Sequence, residues 1–342
     1  MIAVYGATGH TGQLVARELV RRGQQPRLLG RSRERLEPVR KELGVSVESH
    51  VASLKDRGAL LAALDQSQAV INCAGPFSQT GRAVAEAAMD AGSHYVDVTA
   101  EPPVIRELRD ALGPRASSAS VVLVSGAGFY CALADCLVRW MGSESGPYRR
   151  ITVAYLIDGW RMTPASRATA MELAQQPRLK YLGGRLGIAS SSPSVSVFDF
   201  PPPHGEQQVL PYPGGEMLTI PRHTAVQEIR VLMTTRTFSQ NTFTGDDIAP
   251  AERADSSFVV VVEGERIDGC DRAMATGRDI YRVGALAAVE TALTVVDAGR
   301  PQRAGALAPA EVLEPGSLLG RLKEQEVLTE ISVAPDSSRR KR

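Results

Sequence analysis

The sequence has almost no excess charge of either sign. Its 342 residues include 39 Lys and Arg against 38 Asp and Glu, which gives a formal charge of +1 at pH 7. A chain this close to neutrality offers no broad positive field to a nucleic acid or an anionic membrane surface. We therefore expect neither partner, and we interpret the basic end, PDSSRRKR, as a frayed tail.

Cysteines, histidines and long apolar runs are also scarce. The four cysteines and five histidines are scattered, without the spacing of a zinc site or of a disulfide framework. No apolar run approaches the roughly 20 residues that span a bilayer, and Met1 leads into a short apolar segment rather than a signal peptide. These features predict a reduced, cytoplasmic protein without a metal.

The first 125 residues alternate short apolar segments with stretches of helical spacing, which predicts a parallel sheet covered on both faces. After Gly128 come several alternating strand-like runs, which predict an α+β domain. A long alanine-rich helix is predicted over Asp279–Ala298, and we expect it to return to the first domain.

The strongest local motif is Gly-Ala-Thr-Gly-His-Thr-Gly, which lies between the first predicted strand and the first helix. Gly6 permits a tight turn, Gly9 admits a diphosphate close to the backbone, and Gly12 lets the helix pack on the strand. The free N–H groups of the helix start then face the phosphates. The strand–turn–helix context predicts a dinucleotide site that includes Gly6, Thr8, Gly9, His10, Thr11 and Gly12.

The end of the second strand favours NADP over NAD. An NAD-specific site would have a carboxylate there for the ribose 2′-hydroxyl, whereas this chain has Arg31 and Ser32, which suit a 2′-phosphate. The fourth strand ends in a turn at the same sheet edge, where a ribose or nicotinamide would lie. Its expected cofactor contacts are Asn72, Cys73, Ala74 and Gly75.

These motifs resemble those of the saccharopine dehydrogenase-like reductases, including the trans-acting enoyl reductase branch. The matching segments are VYGATGHTG, GRS at residues 30–32, VINCAGPF, GSHYVDVTAE, GEMLTIPRH, the GRDIYR region and GALAPAEVLEPGSLL. The resemblance implies an NADP-binding Rossmann domain, a central α+β substrate domain and a C-terminal helix packed on the first domain. The expected fold class is therefore α/β, a Rossmann-type parallel sheet with an inserted α+β domain.

Four segments follow from this resemblance and the hydrophobic pattern. They are an NADP-binding domain over residues 1–128, a substrate and dimerisation domain over 129–276, returning C-terminal helices over 277–330 and a flexible tail over 331–342.

One segment departs from the family pattern. Relatives commonly carry Gly-Phe-Asp-Ser-Val-Pro-Ser-Asp after the sixth strand, where this chain has Gly-Phe-Tyr-Cys-Ala-Leu-Ala-Asp. Tyr130 and Leu133 thus replace an Asp and a Pro, whereas Asp135 matches. Because this segment is expected at the substrate cleft, saccharopine itself is a doubtful substrate.

Lysine is a scarce candidate for the proton donor, since only five of the 39 Lys and Arg residues are lysines. None of the eight tyrosines has a lysine four residues later, which disfavours a Tyr–Lys mechanism. The candidate catalytic residues at predicted strand ends are Tyr130, Tyr95, Asp97 and Cys131, with Tyr130 as first choice because it occupies the divergent position. His223 and Tyr281 are further candidates, and each of these residues also has a purely structural interpretation.

We expect an NADPH-dependent reductase of a C=N or C=C bond in a small organic substrate. The excess of arginine over lysine is typical of GC-rich bacterial genomes and favours a role in bacterial specialised metabolism. A regulator that binds NADP without turnover and a saccharopine-type amino-acid dehydrogenase remain as alternatives. An exposed sheet in the second domain could pair two copies, so we expect a homodimer.

Overall fold

The computed structural model describes residues 1–44, 46–142, 146–190, 192–239, 242–243, 248–297 and 303–335. The chain forms two compact units. The first comprises residues 1–132 and 281–313, and the second comprises residues 133–280 and 314–342.

The first unit contains a seven-stranded sheet in the order β15-β6-β5-β4-β1-β2-β3, in which every pair of neighbours is parallel. Its strands are β1 (Ile2–Tyr5), β2 (Arg27–Gly30), β3 (Glu48–Val51), β4 (Ala69–Asn72), β5 (His94–Asp97), β6 (Val122–Val124) and β15 (Gly305–Leu307). Its helices are α1 (His10–Arg21), α2 (Arg33–Leu43), α3 (Arg57–Leu64), α4 (Phe77–Asp90), α5 (Pro102–Glu107), a π-helical turn (Leu108–Leu112), α6 (Gly113–Ser118), α12 (Ile280–Asp297) and α13 (Pro309–Val312). Helix α7 (Phe129–Trp140) begins in the first unit and continues in the second, which starts at Leu133.

Both faces of this sheet are buried. Side chains alternate along β1, so that Ile2 and Val4 enter one apolar cluster while Ala3 and Tyr5 enter the other. Helix α12 packs its alanines on the first of these clusters, whereas α4 packs on the second. The predicted α/β fold with a parallel, doubly covered sheet is therefore confirmed.

The second unit contains a nine-stranded mixed sheet, whose main path is β10-β11-β12-β7-β13-β14-β16. Its strands are β7 (Tyr148–Asp158), β8 (Leu179–Leu182), β9 (Arg185–Ile188), β10 (Ser196–Phe200), β11 (Gly205–Pro211), β12 (Val226–Thr234), β13 (Ser257–Glu265), β14 (Cys270–Arg278) and β16 (Leu328–Pro335). Its helices are α8 (Pro164–Ala174), α9 (Glu216–Thr219), a 3₁₀ turn (Ile220–Arg222), α10 (Thr235–Ser239), α11 (Pro250–Ala254) and α14 (Pro315–Glu324).

The structure corrects the predicted organisation at the C-terminus. Helix α14 and strand β16 group with the second unit instead of returning to the first, because β16 pairs antiparallel with β14. Residues 331–335 are part of β16, so the predicted tail begins too early, and residues 336–342 lie outside the described residues. The expected boundaries at residues 128 and 276 each lie four residues before the observed ones.

None of the described helices combines the length and the apolar character that crossing a bilayer requires. Among the described residues, no three His, Cys, Asp or Glu side chains come together as a metal ion would require.

Candidate functional site

The phosphate loop follows β1 at the carboxyl edge of the first sheet. Gly6 has a φ of +78°, a left-handed conformation that favours glycine. A Cβ atom on Gly6 would lie 2.9 Å from the backbone nitrogen of Ala74, which belongs to the loop after β4. Glycine is therefore required here both by the turn and by the close approach of the neighbouring loop.

The start of α1 is built for close packing and for an anion. A Cβ atom on Gly12 would overlap the carbonyl oxygen of Gly6, so the helix meets the turn at a distance that only glycine allows. Gly9 is the N-cap residue and has no side chain to bind the first N–H groups, and the first turn contains no acidic residue. These N–H groups and the positive end of the helix dipole fit a diphosphate.

The polar residues of the loop surround this helix start. His10 is the first residue of α1, and its ring meets the ring of Tyr281 edge-on, with centroids 5.0 Å apart. The carbonyl oxygen of Thr8 accepts a hydrogen bond of 3.2 Å from the Gln13 side chain, which orders the loop. Thr11 is partly exposed one residue further on.

Arg31 and Ser32 follow β2, on the other side of β1 from β4. Arg31 is exposed, and its positive charge acts on Tyr5 at the end of β1: burial raises the pKa of Tyr5, and the charge of Arg31 partly offsets this rise. Ser32 is the N-cap of α2 and accepts a hydrogen bond of 3.3 Å from the backbone of Arg35. The end of the second strand is where Rossmann domains distinguish NADP from NAD, and the contact of Arg31 and Ser32 with a 2′-phosphate stays a prediction.

The loop after β4 is held by Asn72, which is fully buried. Its Oδ1 accepts from the backbone N–H of Ala74 at 3.0 Å, and its Nδ2 donates to the hydroxyl groups of Thr80 and Tyr95, each at 3.2 Å. Cys73 is half-buried, and burial raises the pKa of its thiol, which argues against a thiolate there. The Gly75–Pro76 peptide bond is cis.

Tyr95 and Asp97 are both fully buried and engaged within the fold. Burial raises the pKa of Tyr95 well above its ordinary value. Burial also raises the pKa of Asp97 to about 6, although its carboxylate accepts hydrogen bonds of 2.9–3.0 Å from the Ser125 hydroxyl and from two backbone N–H groups. One of these N–H groups belongs to Gly126, so Asp97 anchors the loop that precedes Tyr130.

Tyr130 and Cys131 lie in the first turn of α7. Cys131 is fully buried, with its sulfur close to Gly126. Tyr130 is half-buried, and its ring packs edge-on against Phe129 with centroids 5.1 Å apart. Its hydroxyl oxygen is shielded from solvent.

Two features were missed by the sequence reasoning. The first is Glu101, whose carboxylate accepts hydrogen bonds from the first backbone N–H groups of α4, at Phe77 and Ser78. The signal that could have found it is an acid two residues after the Asp97-Val-Thr turn and directly before a Pro-Pro helix start.

The second missed feature is a buried polar cluster inside the second unit, of which only His223 was a catalytic candidate from the sequence. Asp135 accepts a hydrogen bond of 2.8 Å from Thr219 and lies 3.5 Å from the Nε2 atom of His223. Glu216 accepts a hydrogen bond from the Tyr155 hydroxyl, and burial raises the pKa of Glu216 to about 7. The side chains of this cluster come from three separate chain segments, so no local sequence motif predicts it.

Comparison with known proteins identifies the first unit. The sequence profile described as Saccharopine dehydrogenase NADP binding domain matches residues 2–124. This match covers 123 of the 342 residues, all of them in the first unit. The predicted resemblance and the predicted NADP(H) cofactor are confirmed.

Relatives of known sequence align with part of the chain. A trans-acting enoyl reductase of Mycobacterium tuberculosis is 33% identical over 133 residues, which are 37% of this chain and 32% of that protein. A lipid droplet localized protein of Caenorhabditis elegans is 32% identical over 151 residues, which are 41% of this chain and 35% of that protein. The chain thus matches only about a third of the length of these relatives.

A solved structure shares the fold. Apo saccharopine dehydrogenase (L-Glu forming) from Saccharomyces cerevisiae superposes with a TM-score of 0.67 and 12% identity, over 97% of this chain and 99% of that chain. At this identity the likeness shows the fold alone, and it agrees with the predicted Rossmann-type class.

Proposed function

We propose that this protein is an NADPH-dependent reductase of a C=N or C=C bond in a small organic substrate, with a role in bacterial specialised metabolism. The observation that carries the proposal is the packing of Gly6, Gly9 and Gly12 into a turn that leaves the N-terminus of α1 open to a diphosphate. The names of the mycobacterial relatives favour the C=C bond.

When bound, NADPH would supply a hydride for one atom of the double bond, and the partner atom would take a proton from an acid or from water. This chain's own contribution is binding and orientation. The first turn of α1 would hold the diphosphate, and Arg31 with Ser32 would hold the 2′-phosphate. The loops after β4 and β6 begin at the same sheet edge, because the two strands are parallel and separated only by β5.

We propose Tyr130 as the proton donor. It is the one partly exposed side chain among the four candidates, since Tyr95, Asp97 and Cys131 are buried. Its place in the first turn of α7 puts it beside the loop that Asp97 anchors. Because its hydroxyl oxygen is shielded from water, we expect the surrounding groups to move when the substrate binds.

The test is a panel of enones and cyclic imines, with NADPH oxidation followed at 340 nm. At least one substrate class should give steady oxidation that depends on enzyme concentration. Saccharopine with NADP⁺ belongs in the same panel, and we expect no turnover with it because Tyr130 and Leu133 replace residues that are common in the family. Turnover of saccharopine alone would assign the protein to the amino-acid dehydrogenases instead.

A regulator that binds NADP(H) without turnover is the second candidate. It is favoured by the burial of Tyr95, Asp97 and Cys131, which leaves Tyr130 as the one partly exposed residue among the four, with its hydroxyl oxygen shielded from solvent. Tight NADPH binding with no oxidation across the whole panel would support this candidate and contradict the reductase.

We also propose that the protein acts in the cytoplasm as a homodimer. Strand β10 lies at the edge of the second sheet, and the side chain of Val197 on this strand is 60% exposed. An edge strand with apolar side chains is a template for pairing with another copy. Light scattering after size-exclusion chromatography should give twice the chain mass, and a monomer at micromolar concentration would contradict the proposal.

A further inference from the structure

The loop between β4 and α4, residues 73–76, is held from several directions and is called here the β4–α4 loop. At its start, the Asn72 side chain accepts a hydrogen bond from the Ala74 N–H, and the Thr80 hydroxyl donates to the Ala74 carbonyl at 2.6 Å. The same Ala74 backbone lies against Gly6 of the phosphate loop. The β4–α4 loop therefore borders the phosphate loop on the side of β4, opposite to the side of β2.

Glu101 holds the other end of this loop. Its Oε1 accepts from the Phe77 N–H at 2.8 Å and its Oε2 accepts from the Ser78 N–H at 2.9 Å, so both oxygens bind the first turn of α4. Glu101 is only 3% exposed, and its own N–H donates to Thr99 at 3.0 Å. A buried carboxylate that binds two backbone N–H groups determines where the helix begins.

The Glu101 carboxylate also gives the N-terminus of α4 a different charge from the N-terminus of α1 at the same sheet edge. The first N–H groups of α4 are already used by the Glu101 carboxylate, and its negative charge repels a phosphate from that helix end. The start of α1 has no such carboxylate in its first turn. The phosphates are therefore expected at α1, whereas the cap at α4 orients the end of the β4–α4 loop.

We propose that Glu101 is a positioning residue for the nicotinamide half of NADP(H), acting through the β4–α4 loop. The order β2-β1-β4 places the 2′-phosphate contacts at Arg31 on one side of the phosphate loop and the β4–α4 loop on the other. A dinucleotide whose diphosphate lies at β1 and whose adenosine lies toward β2 extends its second nucleoside toward β4. Glu101 thus affects one half of the cofactor and leaves the other unchanged.

The test compares two ligands on Glu101→Gln, by titration calorimetry on the full chain. The amide of Gln offers one acceptor where the carboxylate offers two, so one helix N–H loses its partner. The Kd for NADPH should rise about tenfold, whereas the Kd for 2′,5′-ADP, which lacks the nicotinamide half, should stay within about twofold. The matched control is Glu107→Gln, the same change on an exposed residue of α5, which should alter neither Kd.

A second variant keeps the proposal testable if Glu101→Gln does not fold. Thr80→Val keeps the side-chain shape but removes the hydroxyl that holds Ala74, and it should give the same split between the two ligands. Equal weakening of NADPH and 2′,5′-ADP would mean a general loss of domain structure and would overturn the proposal, as would unchanged NADPH affinity in both variants. Binding is the readout, so the outcome does not depend on which substrate, if any, is reduced.

Discussion

Buried carboxylates at the edge of the first sheet bind backbone N–H groups. Asp97 accepts from Gly126 and Thr99, and Glu101 accepts from Phe77 and Ser78. Each carboxylate compensates its loss of hydration with charge-assisted hydrogen bonds, which are stronger than those between neutral groups. Asp97, a catalytic candidate from the sequence, therefore shapes a loop in the structure, and its role in catalysis stays a prediction.

Arg31 should decide the preference for the phosphorylated cofactor. Arg31→Ala removes the planar cation from the end of β2, so the Kd for NADPH should rise by about 10–100-fold while the Kd for NADH stays nearly unchanged. Fluorescence titration with both cofactors measures the ratio. A parallel loss for NADPH and NADH would contradict a specific 2′-phosphate contact.

Tyr130 should affect turnover more than binding. Tyr130→Phe removes the hydroxyl but keeps the ring that packs on Phe129, so kcat should fall by about 10²-fold or more with NADPH affinity unchanged. The measurement requires the substrate found in the enone and imine panel. Wild-type kcat in the variant would remove Tyr130 as the proton donor and move attention to a water molecule or to another residue.

At the scale of elements, the parts of the chain with strong local periodicity were predicted well. Helix α1 and strands β1, β2 and β4 were predicted because each has a short apolar pattern next to glycines. Strands β14 and β16 were not predicted, since β14 has charged residues near both ends and mostly small residues between them, without an apolar alternation. Its extended conformation is stabilised by pairing with β13 on one side and β16 on the other, which local sequence does not reveal.

The contact between α1 and β1 depends on Gly12. Gly12→Ala places a methyl group on the carbonyl oxygen of Gly6, so the helix start must move away from the turn. NADPH binding should weaken by at least about tenfold, and the melting temperature should fall. Gly58→Ala in α3 is the matched control, because its Cβ would meet its nearest neighbour at 3.5 Å, an ordinary contact. Native affinity in Gly12→Ala would contradict the close packing.

At the scale of the whole molecule, two units of similar size are formed from interleaved segments. The first unit takes residues 281–313 from the C-terminal part, and the second takes residues 314–342. The sequence predicted that the long helix α12 returns to the first unit. It did not predict that β16 joins the second unit, because this depends on pairing with β14, which lies far away in sequence.

Buried acids should make stability depend on pH. In the folded chain the pKa of Glu216 is raised from 4.5 to about 7 and that of Asp97 from 3.8 to about 6, both by burial. Because the folded state holds these protons more tightly than the unfolded state, their stabilising contribution is present below about pH 4 and is lost as the pH rises to about 7. For Glu216 alone the shift corresponds to about 3 kcal/mol.

Glu216→Gln tests this dependence, since Gln mimics the neutral acid. The free energy of unfolding between pH 5 and pH 8 should fall less steeply in this variant than in the wild type, as measured by urea denaturation. Glu206→Gln, an exposed change on β11, is the control and should retain the wild-type slope. Identical slopes in all three proteins would show that Glu216 does not hold its proton in the folded state.

The sequence by itself determined the α/β class, the phosphate loop and the NADP(H) cofactor. These depend on local patterns, namely apolar periodicity, glycines at a strand–helix turn and an arginine where a carboxylate would mark NAD. The tertiary structure alone decided that Glu101 caps α4 and that Asp135, Glu216 and His223 meet in one buried cluster. Contacts of this kind join residues from separate segments, and burial, which shifts pKa values, exists only once the chain has packed.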